Sequence, residues 1–161
     1  MMEHIIDVSY EQGKCSAIAP EKVVLSRLDS ILEGLGVDHS VEFSVSFVDD
    51  ASIQELNRNY RNKDESTDIL TFVQKDAKDV SWPDSSQEEH AEVLGDMVIS
   101  LETLQRNSEY FNVPPDEELY RLLVHGVLHL LGYDHKTNDV ESEPMLQKQE
   151  ALLVRLGGKG L

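Results

Sequence analysis

The sequence predicts an α+β fold: a small, mostly mixed β-sheet of about four strands packed with about five helices. One of these helices is central, buried and carries histidines. Three observations predict it. Short stretches alternate with period two, as Val41, Phe43, Val45 and Phe47 do against Glu42, Ser44 and Ser46. Longer stretches repeat at three and four, as Val24, Leu25, Leu28, Ile31, Leu32 and Leu35 do. Finally, Leu119 to Leu131 is apolar nearly all round, as expected of a helix enclosed by other elements. These runs are interspersed along 161 residues with no internal repeat, which predicts a single domain over residues 1–161.

In order, His4 to Val8 reads as a first strand and residues 9–19 as a loop. Pro20-Glu21 opens a helix, since proline is tolerated in a first turn, and Gly34 and Gly36 mark its stop. Val41 to Phe47 is a half-exposed strand. Asp49 or Asp50 caps a second helix with Ile53, Leu56 and Tyr60 on one side. Arg61 to Thr67 is polar and reads as a loop, and Ile69 to Val73 as a strand. Gln74 to Glu92 is acidic and reads as an exposed loop or insertion, with Trp82 either packing back, the favoured reading, or contacting a partner. Val93 to Ser100 is a strand bent or interrupted near Gly95, and Leu101 to Phe111 a helix ended by Val113-Pro114-Pro115. The buried helix runs from about Pro115 to Leu131, with Asp116, Glu117 and Glu118 where they favour the dipole. A last helix covers about Glu143 to Leu156, and Gly157 to Leu161 should fray.

Thirty-one acidic residues against fourteen Lys and Arg leave a formal net charge of −17. That counts against a broad basic face for nucleic acid. It favours solubility, or docking to a basic partner surface such as a ribosomal protein. No apolar run approaches about 18 residues, so no membrane span is expected. Met1-Met2-Glu3-His4 does not resemble a signal peptide. The single cysteine, Cys15, has no internal disulfide partner, which agrees with a cytoplasmic location.

The chemistry concentrates in His125-Gly126-Val127-Leu128-His129-Leu130-Leu131-Gly132-Tyr133-Asp134-His135. His125 and His129 lie four apart and share a helix face. Gly132 lets the chain leave the helix in a left-handed conformation, and His135 can fold back. Three imidazoles on one point hold a metal with a coordination position open. They leave its +2 charge uncompensated, which makes a good Lewis acid. Zinc fits best; nickel, copper or another divalent ion also suits imidazole. Asp134 either accepts from a neighbouring imidazole or caps the loop. His4, His39 and His90 stand alone and read as ordinary surface or loop residues. The spacing matches the metzincin peptidases, H-E-x-x-H-x-x-G-x-x-H, but Gly126 stands where their glutamate base belongs, and glycine cannot take a proton.

The string HGVLHLLGYDH closely resembles the signature of the bacterial YbeY family of rRNA maturation factors. Leu56-Asn57-Arg58-Asn59-Tyr60-Arg61 with Thr67-Asp68-Ile69-Leu70-Thr71-Phe72 is similar to the family's "LNxxYR…TDVLSF" stretch. Leu94 to Ser100 is similar to its "LGDIxIS" strand. The likeness covers about residues 40–155, and the acidic stretch near 75–91 is its least constrained part. It implies a cytosolic, metal-dependent endoribonuclease acting on single-stranded RNA. The implied roles are maturation of the small-subunit rRNA 3′ end and ribosome quality control. It also implies His125, His129 and His135 as zinc ligands, and Arg61 as the functional arginine.

The residues agree with that implication. A +2 ion beside an arginine suits a phosphodiester, whose transition state gathers negative charge on oxygen. Arg58, Arg61 and Lys63 place three of fourteen cations within six positions, a local RNA-binding cluster, and Arg61 can grip phosphate through its planar fork. RNA also brings its own nucleophile, the 2′-hydroxyl, so a missing glutamate matters less than for a peptide; attack by water remains the other route. Two further readings stand beside the nuclease. One is a ribosome-assembly factor with a structural metal, docking on a small-subunit ribosomal protein or an assembly GTPase. The other is a metallohydrolase of another substrate, such as peptides.

Overall fold

A computed structural model describes residues 3–11, 17–74 and 91–156. The elements run β1 (Ile5–Tyr10), α1 (Glu21–Gly34), β2 (Val41–Val48), α2 (Asp50–Arg61), β3 (Ile69–Val73), β4 (Glu92–Ser100), α3 (Leu101–Tyr110), α4 (Pro115–Leu130) and α5 (Pro144–Arg155). The sheet order is β1-β2-β4-β3. β1, β2 and β4 are parallel, and β3 is antiparallel to β4, so the sheet is mixed as expected. The expectations for Cys15, Trp82, His90 and the tail lie outside the described residues.

The alternation in β2 buries Val41, Phe43, Val45 and Phe47 in the main core, to which α1, α4 and α5 also contribute. On the opposite face α2 covers a smaller cluster of Ile53, Leu70 and Val98. One boundary and one side-chain orientation depart from the sequence expectation. β1 continues past Val8 to Tyr10, because Ser9 and Tyr10 stay in register with Ser46 and Phe47. There the Tyr10 ring stacks on Phe47 at 5.3 Å. In α2, Tyr60 is 67% exposed rather than inward, and meets the Phe72 ring edge-on at 5.4 Å. Asn57 takes the buried place, its Nδ2 donating to the Glu65 carbonyl at 2.9 Å.

Of the two aspartates offered as caps, Asp49 performs that role, accepting from the Ser52 N–H at 2.9 Å. Asp50 instead accepts from the Ser100 and Thr103 hydroxyls, each at 2.6 Å, and pairs with Arg106 at 2.7 Å. It thereby ties the start of α2 to the start of α3.

The bend in β4 has a local cause. Its register against β2 slips between Glu42↔Val93 and Phe43↔Gly95. Gly95 sits at φ +137°, and a Cβ there would lie 2.0 Å from the Phe72 carbonyl oxygen. Only glycine lets the strand pass β3 this closely.

Helix α4 lies under β3 and β4, with ten of its sixteen residues buried. Gly126 makes the close approach possible: a Cβ would meet Met97 Cε at 2.5 Å and Ile69 Cδ1 at 2.9 Å. The residue that removes the peptidase base is therefore also the packing contact between helix and sheet. Gly126→Ala should cost about 1–3 kcal/mol through overpacking, since both neighbours are side-chain ends able to shift in part. Gly126→Glu should cost more and confer no peptidase activity, because the side chain starts into the sheet. Urea melts of both variants check the order; equal stability would mean that the helix does not rest on this glycine.

Candidate metal centre

Near its end, α4 buries every residue except one line. Arg121, His125 and His129, spaced by four, are the partly exposed positions from 121 to 130. The helix ends at Leu130, with Leu131 at its C-cap and Gly132 at φ +105°. The Tyr133 N–H bonds back to the Leu128 carbonyl at 3.0 Å, and the Gly132 N–H to the His129 carbonyl at 3.0 Å. This left-handed termination turns the chain sharply enough to bring His135 beside the other two histidines. One ligand nitrogen from each of His125, His129 and His135 lies within 4.8 Å of the others.

Each imidazole also has an acceptor behind it. His125 Nδ1 donates to Gln149 Oε1 at 2.7 Å, His129 Nδ1 to the Tyr133 carbonyl at 3.1 Å, and His135 Nδ1 to the Thr137 carbonyl at 2.8 Å. In its neutral form each ring thus carries its proton on Nδ1 and offers Nε2 as a lone pair. The Nε2 atoms of His125 and His129 face each other at 3.1 Å. Two lone pairs at that distance repel unless a cation sits between them. Two nitrogens on one tetrahedral zinc would lie about 3.3 Å apart, given Zn–N near 2.0–2.1 Å. The donor set fits a metal ion. Burial pushes the His125 pKa down to about 4. Burial, then the nearby His135, lowers that of His129. Both rings are therefore neutral, as ligands must be, at neutral pH.

His125 and His129 open onto a cavity of about 570 Å³. Arg61 and the β3 residues Ile69 to Val73 also line it, as do Tyr133 and Asp134. The ladder explains how Arg61 gets there. Ser100 N–H bonds to the Asp68 carbonyl and Gln74 N–H to the Leu94 carbonyl, so even-numbered residues of this strand pair with β4. The backbone groups of Ile69, Thr71 and Val73 then point away from β4, towards the cavity. Arg61 donates to the outward Thr71 carbonyl, and its guanidinium carbon lies 5.7 Å from the Phe72 ring centre.

The rest of the predicted basic cluster lies apart from the cavity lining. Arg58 pairs with Asp64 at 3.6 Å, and Lys63 is exposed. Asp134 caps its loop rather than orienting an imidazole. Its Oδ1 accepts from the His135 backbone N–H at 2.8 Å and stands 4.0 Å from His129 Nδ1, beyond hydrogen-bond reach. His4 accepts from the Val41 N–H, and His39 bridges Asp38 and Glu92. The Glu92 and Asp38 hydrogen bonds raise the His39 pKa.

Sequence reasoning missed two groups. Gln149 occupies a core position of α5, beside Met145, Leu146, Leu152 and Leu153; a polar residue in that apolar stripe was the available signal. Glu118 looked like one of three dipole-favouring acids. It is 1% exposed, receives two hydrogen bonds from Arg121, at 2.9 and 2.6 Å, and one from Asn107 at 3.1 Å.

A mixed sheet over a buried helix, with a histidine triad of which two members share a cavity with an arginine, defines a metal-dependent hydrolase. The chain matches the family described as Endoribonuclease YbeY over residues 6–157. It is 42% identical to the Endoribonuclease YbeY of Treponema denticola over 154 residues, covering 96% of this chain and 94% of that protein. It is 39% identical to that of Persephonella marina over 132 residues, 82% and 80% of the two chains. The solution structure of TM1509 from Thermotoga maritima superposes with a TM-score of 0.59 at 28% identity, covering 96% of this chain and 90% of that one. The chain belongs to the endoribonuclease YbeY family. Among the described residues, no helix is long and apolar enough to cross a membrane.

Proposed function

We propose that this chain, acting as one domain, is a zinc-dependent endoribonuclease of the cytoplasm that cuts single-stranded RNA. Its place is maturation of the small-subunit rRNA 3′ end and ribosome quality control. The convergence of one ligand nitrogen from each of three histidines, two of which share a cavity with Arg61, carries this reading. His125, His129 and His135 would hold the ion, which when bound supplies Lewis-acid polarisation of the scissile phosphate. Arg61 spends one N–H contact on Thr71, which holds its planar fork in place and leaves further donors for phosphate oxygens. Stabilising charge that grows on those oxygens is the step an arginine accelerates. With Gly126 where a carboxylate base would stand, the RNA 2′-hydroxyl is the nucleophile that asks least of the protein. A net charge of −17 suits docking beside a basic small-subunit ribosomal protein or an assembly GTPase that presents the RNA.

The test is cleavage of a single-stranded RNA by purified protein beside Arg61→Ala. The variant should lose about 10²–10³-fold in rate, the usual cost of removing one oxyanion donor. Rates within twofold of each other would remove Arg61 from the chemistry. A 2′,3′-cyclic phosphate product would support internal attack, and cleavage of a substrate 2′-deoxy at the scissile position would eliminate it.

A further inference from the structure

We infer that Gln149 is a positioning residue for the metal centre, setting the orientation of His125 and keeping the centre's positive charge undiluted. The inference rests on the metal-centre reading above and goes beyond it, into α5. Of the three groups that accept from the Nδ1 atoms, two are backbone carbonyls within a few residues of their histidine. Gln149 alone is a side chain, and it comes from another helix, 24 residues along the chain. It is 3% exposed, flanked by Met145, Leu146, Leu152 and Leu153 on the face of α5 that packs against the core. A glutamine at such a position loses its water on folding and needs a buried partner to offset that. The partner is His125, and at 2.7 Å the bond is short for an N–H donor.

The polarity of the bond follows from the ligand geometry. His125 turns Nε2 to the triad, so Nδ1 carries the hydrogen and the amide must present its oxygen. That direction locks the ring about its long axis, and α5 docking and triad geometry become one event. The choice of amide over carboxylate has a chemical result. A carboxylate accepting from the same N–H would draw the proton towards itself, pass negative charge through the ring, and raise ligand basicity. A neutral amide orients the ring without doing so, which leaves the bound ion its full +2 to act on a phosphate.

The experiment is a zinc competition titration of the full chain, stripped and then reloaded, against a chromophoric chelator. Gln149→Met keeps length and apolar packing but cannot accept. It should bind zinc about 10–100-fold more weakly, the usual cost of losing such a partner. Gln149→Asn keeps the amide but withdraws it by one carbon, and should weaken binding in the same sense. Gln149→Glu should bind at least as tightly as the unaltered chain. Cobalt loading gives a second readout: the visible ligand-field bands should change in Gln149→Met and stay tetrahedral in Gln149→Glu. Melting in excess chelator separates lost folding from lost ligation. If Gln149→Met and Gln149→Asn hold zinc as tightly as the unaltered chain, or if Gln149→Glu is as weak as they are, Gln149 is a packing residue and the inference falls. If the unaltered chain binds no zinc, or His125→Ala binds as well as it does, the triad itself is misread whatever Gln149 does.

Discussion

His129→Ala should abolish zinc binding at one ion per chain and reduce RNA cleavage by more than about 10³-fold, below the Arg61→Ala variant. The physical reason is the centre's economy. With three protein ligands and an open position, a catalytic site has none to spare. The two remaining imidazoles would leave half of a tetrahedral shell to water. His129 is also the residue whose Nε2 faces His125 at 3.1 Å and whose ring leans towards the helix end that delivers His135. Folding should survive, because the ring is only partly buried on α4 and its removal relieves repulsion between two lone pairs in the metal-free chain. The prediction therefore separates two roles for the metal. Cleavage lost while the chelated protein melts unchanged identifies a catalytic ion. A large fall in melting temperature with no cleavage by any preparation would mean a structural ion and an assembly factor.

The second large effect is on stability. Arg121→Met should cost about 3–5 kcal/mol, because it leaves the buried Glu118 carboxylate without its cation. For a chain of this size that is a fall of roughly 6–20 °C in melting temperature. Arg121 donates two hydrogen bonds to Glu118 and lies 3.8 Å from Asp68, while Asn107 Nδ2 reaches both carboxylates, at 3.1 and 3.3 Å. The cluster joins α3, α4 and the residue just before β3, one helical turn from His125. Burial would lower the Arg121 pKa, but the Glu118 hydrogen bonds and charge overcome it and the net shift is upward, so the guanidinium stays charged. The double variant Glu118→Gln/Arg121→Met should recover part of the loss, since no unpaired charge then remains. A single variant as stable as the natural chain would show that water reaches the carboxylate. The double variant also reports on the site: if the cluster aligns β3 with α4, cleavage should fall even where stability returns.

Most of the architecture was legible in the chain because it is written in local periodicity. The alternation of Val41 to Phe47, the three-and-four spacing of α1 and the all-round apolar run of α4 each specify their element without reference to distant residues. The triad was legible for the same reason. Two ligands share a helix face, and the third follows a glycine whose left-handed conformation is a local property of the chain. The family likeness read from HGVLHLLGYDH and its companion segments is upheld by the match over residues 6–157.

Tertiary structure alone decided how those local pieces are used. Whether Glu118 meets water or Arg121, and whether Asp50 caps its own helix or binds the next, depends on contacts far along the chain, which no local pattern encodes. Tyr60 shares an apolar register yet lies outside, its ring meeting Phe72 edge-on. Gln149 reaches His125 across a helix pair, and Arg61 finds Thr71 because the ladder turns odd-numbered carbonyls outward. Periodicity and turn chemistry act over a few residues, so the sequence by itself determined the elements, the triad and the family. Orientation of each ligand and burial of each charge are properties of packed neighbours, and these only the fold could decide.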